Sequence, residues 1–339
     1  MSNLTYKPKV GFAFSGASSR SMFYIGFLEV LSENKFPIDY ISALSGGAIV
    51  AASFASGTLP QLKKVVMDLN KEFLFGLIER SKGRGGLYSL EKIESELRVY
   101  TQNKKFEDVA PKLGFVTTDL NSGEEVVLQI GDIAHAVCAS CTLPGVFQPM
   151  EWGNRQLVDG GIVNIVPGNV ARDAGCDFVV GIDMRATRHI FSQWQISLKK
   201  VVDFFGQLLW PKPINMLWQK LSSMLEYPDL NSPDHTVNHT IYNVLDRSID
   251  LAMKAQKEQE DPTFQCDLLI SPDTSHMPFW KRYLFLHFTD FSKTQAYYES
   301  GRQTAKQYLP QLWQMLADKE KQNQQAEEKL KTLFEKTNA

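Results

Sequence analysis

The 339-residue chain has no apolar run approaching the roughly 18 residues that span a membrane. It also has no surplus of one charge. Against 38 Asp and Glu stand 36 Lys and Arg, for a formal net charge of -2, so nothing favours nucleic acid as a partner. Cysteine is scarce, with only Cys138, Cys141, Cys176 and Cys266, which excludes a disulfide scaffold and suits a reducing compartment. Cys138-Ala-Ser-Cys141 has CxxC spacing without a second pair or a nearby His pair. Neither a zinc site nor any other metal or cofactor is expected, and two small residues packed at a helix end is the simpler reading. None of the six histidines (His135, His189, His235, His239, His276 and His287) sits in a pattern that marks a triad partner. Met1 to Lys9 lack the charged-then-apolar design of a secretory leader, so a cytoplasmic location is expected. Internal repeats are absent. What is present, 43% hydrophobic and 22% charged residues, describes a globular protein with a sizeable core.

Periodicity supplies the elements. Lys9 to Phe14 reads as a buried first strand, followed by a small-residue loop, Ser15 to Ser21, and a helix over Met22 to Ser32. Leu59 to Ile78 and Leu90 to Tyr100 read as amphipathic helices, joined by a flexible Lys82-Gly-Arg-Gly-Gly86. Leu113 to Leu120 and Glu125 to Ile130 alternate as strands around Asn121-Ser-Gly123, a hairpin signal. A helix over Asp132 to Ser140, a strand over Gln156 to Val158, a helix from Pro167 to Ala174 and a strand over Phe178 to Ile182 follow. Strands alternating with helices predict an α/β fold around a mostly parallel sheet covered on both faces. A helix over Tyr242 to Lys257 and a last strand over Asp267 to Ser271 come later. The Lys-, Glu- and Gln-rich Ala317 to Ala339 reads as a solvated terminal helix or a fraying end.

One stretch carries chemistry. Ile38 to Ala43 is an apolar β-branched run that breaks at Ser45-Gly46-Gly47 and gives way to a small-residue helix with Gly57 as its C-cap. A strand-turn-helix of this kind lifts the serine hydroxyl out of the backbone and aims the helix's first amides at the same spot. The crossing needs small residues two before and two after the serine, and Ala43 and Gly47 supply them, although the usual G-x-S-x-G pattern has glycine first. An ordinary βα turn fits these residues too. For a base, Leu157-Val-Asp-Gly-Gly-Ile162 puts Asp159 after a strand and before Gly160 and Gly161, where another backbone can approach closely. Alone, this also reads as a plain turn.

Taken together the pieces are more specific. A small-residue loop after strand one, the serine elbow, Thr118-Asp-Leu-Asn-Ser-Gly-Glu124, Ala139-Ser-Cys-Thr-Leu-Pro-Gly-Val-Phe147 and Val158-Asp-Gly-Gly-Ile-Val-Asn164 stand in that order. This series resembles the patatin-like phospholipase family over roughly Lys9 to Met184. The resemblance implies a three-layer α/β/α hydrolase over residues 7–300, with a helical insertion at 190–240 and a C-terminal helical tail at 301–339. It implies a Ser–Asp dyad without histidine, in which Ser45 is the nucleophile and Asp159 the base, acting on acyl esters of phospholipids or other glycerolipids. Backbone amides from Gly16, Ala17 and Ser18, with Gly46, would hold the oxyanion. An aspartate with an ordinary pKa of roughly 3.9 is a feeble base, so burial would have to raise it.

The chain departs from the family at the loop, which usually runs three glycines, a basic residue and glycine. Here Gly16-Ala17-Ser18 leads to Ser19, Arg20 and Ser21, and Arg20 matches the basic position. Arg20 either organises the loop, the favoured role, or attracts a phosphate head group. Losing two glycines bears on oxyanion geometry more than on the fold. A lipid-binding or scaffold protein with a decayed site is the alternative. A Ser-His-Asp hydrolase comes third, since that fold expects a late histidine in a suitable loop. Finally, Gln193 to Leu225 holds Trp194, Trp210 and Trp218 beside two apolar helical stripes, Leu198, Val201, Phe205, Leu208 and Ile214, Leu217, Leu221, Met224, flanked by lysines. That pattern suits either core packing or peripheral contact with a lipid surface.

Overall fold

The structure, a computed structural model, describes residues 7–69, 76–77, 79–81, 85–184, 244, 248, 251–252, 265–272 and 293–337. The aromatic segment 193–225 and the expected insertion at 190–240 lie outside the described residues, as does most of the helix expected from Tyr242.

Among the described residues the central sheet has eight strands. Five are parallel: β1 (Val10–Phe14), β2 (Tyr40–Ala43), β5 (Lys112–Asp119), β10 (Phe178–Ile182) and β11 (Leu268–Ile270). β6 (Glu125–Leu128) and β9 (Arg155–Asp159) pair antiparallel with β5, and β8 (Met150–Trp152) closes a hairpin on β9. β1 is central, between β10 and β2, and all five of its residues are buried. This burial on both faces is what parallel strands covered by helices require.

The pleat sorts the strand residues into two cores. Val10, Phe12 and Phe14 of β1 and Phe178, Val180 and Ile182 of β10 face α1 (Met22–Glu33), α2 (Gly46–Ser56), α5 (Ile133–Ser140) and α7 (Thr294–Thr337). Their alternates, Ala13 and Val179, face α6 (Gly168–Asp173) through Val170 and Ala171. Helices on both faces make three layers around a mostly parallel sheet, the expected α/β class. Nine residues of α1 are buried, so it is a core helix rather than an amphipathic one. α2 ends at Gly57 with φ 80°, the left-handed cap expected there.

Several boundaries differ from expectation. α3 (Leu59–Met67) ends well short of Ile78, and the helix expected from Leu90 is α4 (Glu91–Thr101). Beside them lies a second sheet of β3 (Glu79–Arg80), β4 (Gly86–Ser89) and β7 (Gly145–Phe147). The glycine-rich linker therefore ends in a strand, which pairs in parallel with the segment after Leu143-Pro-Gly145. Such short strands carry too few alternating residues to be legible as a pattern. α7 runs unbroken from Thr294 across residue 300, and Tyr298, Ala305, Leu312 and Leu316 pack into the main core. Among the described residues, no helix is long and apolar enough to cross a membrane.

Candidate functional site

Ser45 stands between β2 and α2 with φ 52° and ψ -128°. A non-glycine residue held there costs about 1–3 kcal/mol, so the surroundings must enforce it. They do so from three sides. Its N–H donates to Ser140 Oγ at 2.9 Å, and Ser140 in turn donates to the Val116 carbonyl at 2.7 Å. Gly47 presses against the end of β1, where a Cβ would lie 2.8 Å from the Ser15 carbonyl oxygen. Ala43 is completely buried in the main core, so the methyl in place of the usual glycine is accommodated as packing.

Asp159 arrives by sheet register. β2 pairs Ala43 with Phe115, which sets Ser45 level with Thr117, and Thr117 is the antiparallel partner of Asp159. The strand end is fixed by Asp159 N–H donating to the Thr142 carbonyl at 2.8 Å and Thr118 Oγ1 donating to the Asp159 carbonyl at 3.0 Å. Gly160 then turns against β5 so closely that a Cβ would come 2.4 Å from the Val116 oxygen. Asn164 ties the turn down, with its N–H to the Gly160 carbonyl and its side chain to Glu125 and Asn169. The Asp159 side chain, in a residue only 7% exposed, accepts the Gly161 N–H at 2.8 Å and lies close enough to the Ser45 side chain to feel it electrostatically. Burial pushes its pKa up to about 6, against the opposing pull of the Gly161 amide and the Ser45 hydroxyl. Sheet register thus brings the two residues to one place, and burial makes the carboxyl more basic than an exposed aspartate.

The loop after β1 reaches the same point. A Cβ on Gly16 would lie 3.5 Å from the Ser45 Cβ, with the Leu44 side chain against both Gly16 and Gly161. Ala17 has φ -134°, so the position does not call for glycine, and its methyl is buried in the core. Among the described residues, the Gly16 and Ala17 amides donate to no protein acceptor, and neither does that of Gly46. A 3₁₀ turn over Ser18–Ser21 runs directly into α1, so two helical segments, this one and α2, start beside Ser45. Their N-terminal amides favour a developing negative charge. Arg20 braces this loop: its N–H and its Nε both donate to the Ala17 carbonyl, at 3.0 and 3.3 Å.

Two neighbours were not legible as site residues. Ser140 and Thr142 lie in the stretch Ala139 to Phe147, yet nothing in their spacing says that the Ser140 hydroxyl accepts the Ser45 N–H and the Thr142 carbonyl the Asp159 N–H. The signal was a run of small polar residues at a helix end. His135 is placed elsewhere, stacked on Trp152 with ring centroids 5.2 Å apart and its Nδ1 2.9 Å from Glu94 Oε2; the other five histidines lie outside the described residues.

Residues 12–172 match a protein-family model described as Patatin-like phospholipase. An uncharacterized NTE family protein of Mycobacterium bovis is 28% identical over 180 residues, covering 53% of this chain and 50% of that protein. Patatin-like phospholipase domain-containing protein 6 of Mus musculus is 25% identical over 181 residues, 52% of this chain and 13% of that protein. The chain thus matches half or less of these relatives' own length. The solved structure of VipD from Legionella pneumophila aligns over 86% of this chain and 79% of that one, at 12% identity and a TM-score of 0.33, too loosely to inform the site.

Proposed function

With residues 12–172 carrying a patatin-like phospholipase domain, a family of lipid acyl hydrolases, we propose that this chain cleaves acyl esters of phospholipids or other glycerolipids with Ser45 and Asp159. The observation that carries the reading is a serine held at φ 52° against a buried carboxyl whose pKa is raised to about 6. Strain and desolvation at one point are stability costs that a merely structural turn has no use for.

In this mechanism the Ser45 hydroxyl proton passes to Asp159 as Oγ bonds to the acyl carbon. The tetrahedral oxyanion lies against the amides of the Gly16–Ser18 loop and of Gly46. Ser45's own N–H, committed to Ser140, takes no part. Asp159 then gives its proton to the departing alcohol, leaving an acyl-enzyme. Water attacks that ester, its proton passes to Asp159, and Ser45 recovers a proton as the carboxylic acid leaves. Contact with a lipid surface through 193–225 belongs to the same proposal and rests on that segment's tryptophans and lysines. Pelleting with anionic vesicles, lost in a Trp210→Ala, Trp218→Ala variant, checks it.

Hydrolysis of short-chain p-nitrophenyl esters tests the dyad. Ser45→Ala and Asp159→Asn should each abolish turnover, and wild-type kcat/KM should fall as pH drops through about 6, where Asp159 takes up its proton. A folded wild-type protein without turnover would favour the lipid-binding or scaffold reading. Turnover surviving in Asp159→Asn would refute the base.

A further inference from the structure

The backbone around Ser45 is held by two different elements. On the helix side, Gly47 and Ala48 donate to the Leu44 carbonyl at 3.0 and 3.3 Å, and Ala48 and Ile49 to that of Ser45 at 2.9 and 3.2 Å. The Ser45 N–H has no such partner within α2 and no strand beside it, because β2 ends at Ala43. Its acceptor is a side chain, Ser140 Oγ at 2.9 Å, on the last residue of α5. A serine at φ 52° keeps that conformation only while its surroundings enforce it, so this bond bears on the elbow directly.

Ser140 is completely buried, and its polarity is fixed. A carbonyl can only accept, so the one Ser140 proton goes to the Val116 oxygen at 2.7 Å, and the Ser140 lone pairs face the Ser45 N–H. The same Val116 oxygen meets the base's turn: a Cβ on Gly160 would come 2.4 Å from it. Two residues beyond Ser140, the Thr142 carbonyl accepts the Asp159 N–H at 2.8 Å. This helix end is itself closed by Thr142 Oγ1 donating to the Cys138 carbonyl and the Cys141 N–H to that of Val137, both at 2.9 Å. Ser45 and Asp159 therefore hang by their backbones from one three-residue segment.

We propose that Ser140 is a positioning residue of the hydrolase: its hydroxyl, anchored on the Val116 carbonyl, holds the Ser45 backbone in the strained turn and, with the Thr142 carbonyl, sets nucleophile against base. This rests on the dyad reading above. Ser140 exchanges no proton in the cycle and acts only through the Ser45 backbone.

The test compares wild type, Ser140→Ala, Ser140→Cys and Ser53→Ala as full chains, in p-nitrophenyl ester kinetics, fluorophosphonate labelling of Ser45 and thermal melting. Ser53 is as buried as Ser140, and its Oγ lies 2.9 Å from Thr58 Oγ1 at the far end of α2, so its removal costs a buried hydrogen bond unconnected with Ser45. Ser140→Ala should lower kcat and the labelling rate at least about tenfold, with KM unchanged. Ser140→Cys keeps the shape of the side chain but offers a poorly accepting sulfur, and should lose activity in the same direction while retaining the packing. Ser53→Ala should lower Tm and leave both rates alone. The acid limb should stay near pH 6 in every variant, because Asp159 keeps its burial. Wild-type rates in either Ser140 variant would overturn the proposal. So would an equal loss of activity in Ser53→Ala, or an acid limb displaced toward the ordinary carboxylate range, either of which would make Ser140 a packing residue. An inactive wild type that fails to label at Ser45 would remove the dyad reading itself, an outcome distinct from a labelled wild type matched by Ser140→Ala.

Discussion

At the scale of single residues, the site holds a charge the fold would rather not have. The Asp159 pKa is raised by burial from the unfolded range to about 6. A raised carboxyl favours the folded state while protonated, so its contribution is full below about pH 4 and is lost as pH climbs through 6. At pH 8 the ionised Asp159 therefore costs up to about 3 kcal/mol. Asp159→Asn removes that dependence, so its Tm should exceed the wild-type Tm by more at pH 8 than at pH 4. A difference constant across that range would mean that the carboxyl is not desolvated. Both members of this pair were legible in the sequence, Ser45 from the break of a β-branched run at Gly46-Gly47, Asp159 from Asp-Gly-Gly after a strand. That they lie at one level of the sheet was not, because register across β5 places them there, from Ala43 with Phe115 to Thr117 with Asp159. Ala17 corrects the emphasis on lost glycines: a negative φ and a buried methyl make alanine fit there.

At the scale of elements, α1 and α7 cross at glycines. A Cβ on Gly26 would lie 2.2 Å from the Tyr298 carbonyl oxygen, and one on Gly301 2.0 Å from that of Phe23. Neither neighbour is a side-chain end that can swing away, so the helices themselves must part. Gly301→Ala gains about 1 kcal/mol of helix propensity but overpacks at a cost of 1–3 kcal/mol or more, so packing wins. Denaturant unfolding should show a net loss of up to about 2 kcal/mol; a gain would mean that the crossing is looser than it stands. Around it, Glu29 of α1 accepts from Lys63 of α3 and from Tyr298 and Arg302 of α7, pinning three helices at one half-buried carboxylate. This docking was not legible. Gly301 and Pro310 punctuate the segment as breakers, and only contact with α1 shows that Tyr298, Ala305, Leu312 and Leu316 form one buried stripe.

At the scale of the whole molecule, the long buried strands are legible in the sequence, since runs such as Val10–Phe14 and Phe178–Ile182 need no partner to be recognised, whereas the order in which they pair is not. The two- to four-residue strands of the second sheet were missed for the opposite reason. The arrangement that results places three chain reversals at one end of the sheet: the loop after β1, the elbow after β2 and the turn after β9. Ligands of open α/β sheets gather at such a place, beyond the carboxyl ends of parallel strands. The central claim is that this convergence makes Ser45 a nucleophile that Asp159 activates. The most direct test is peptide mapping of the chain after reaction with a fluorophosphonate, with the labelling rate followed in wild type and Asp159→Asn. The label should sit on Ser45 and form at least about 100-fold more slowly in the variant, whose amide cannot take the proton. A label on another residue, or equal rates in the two proteins, would contradict it.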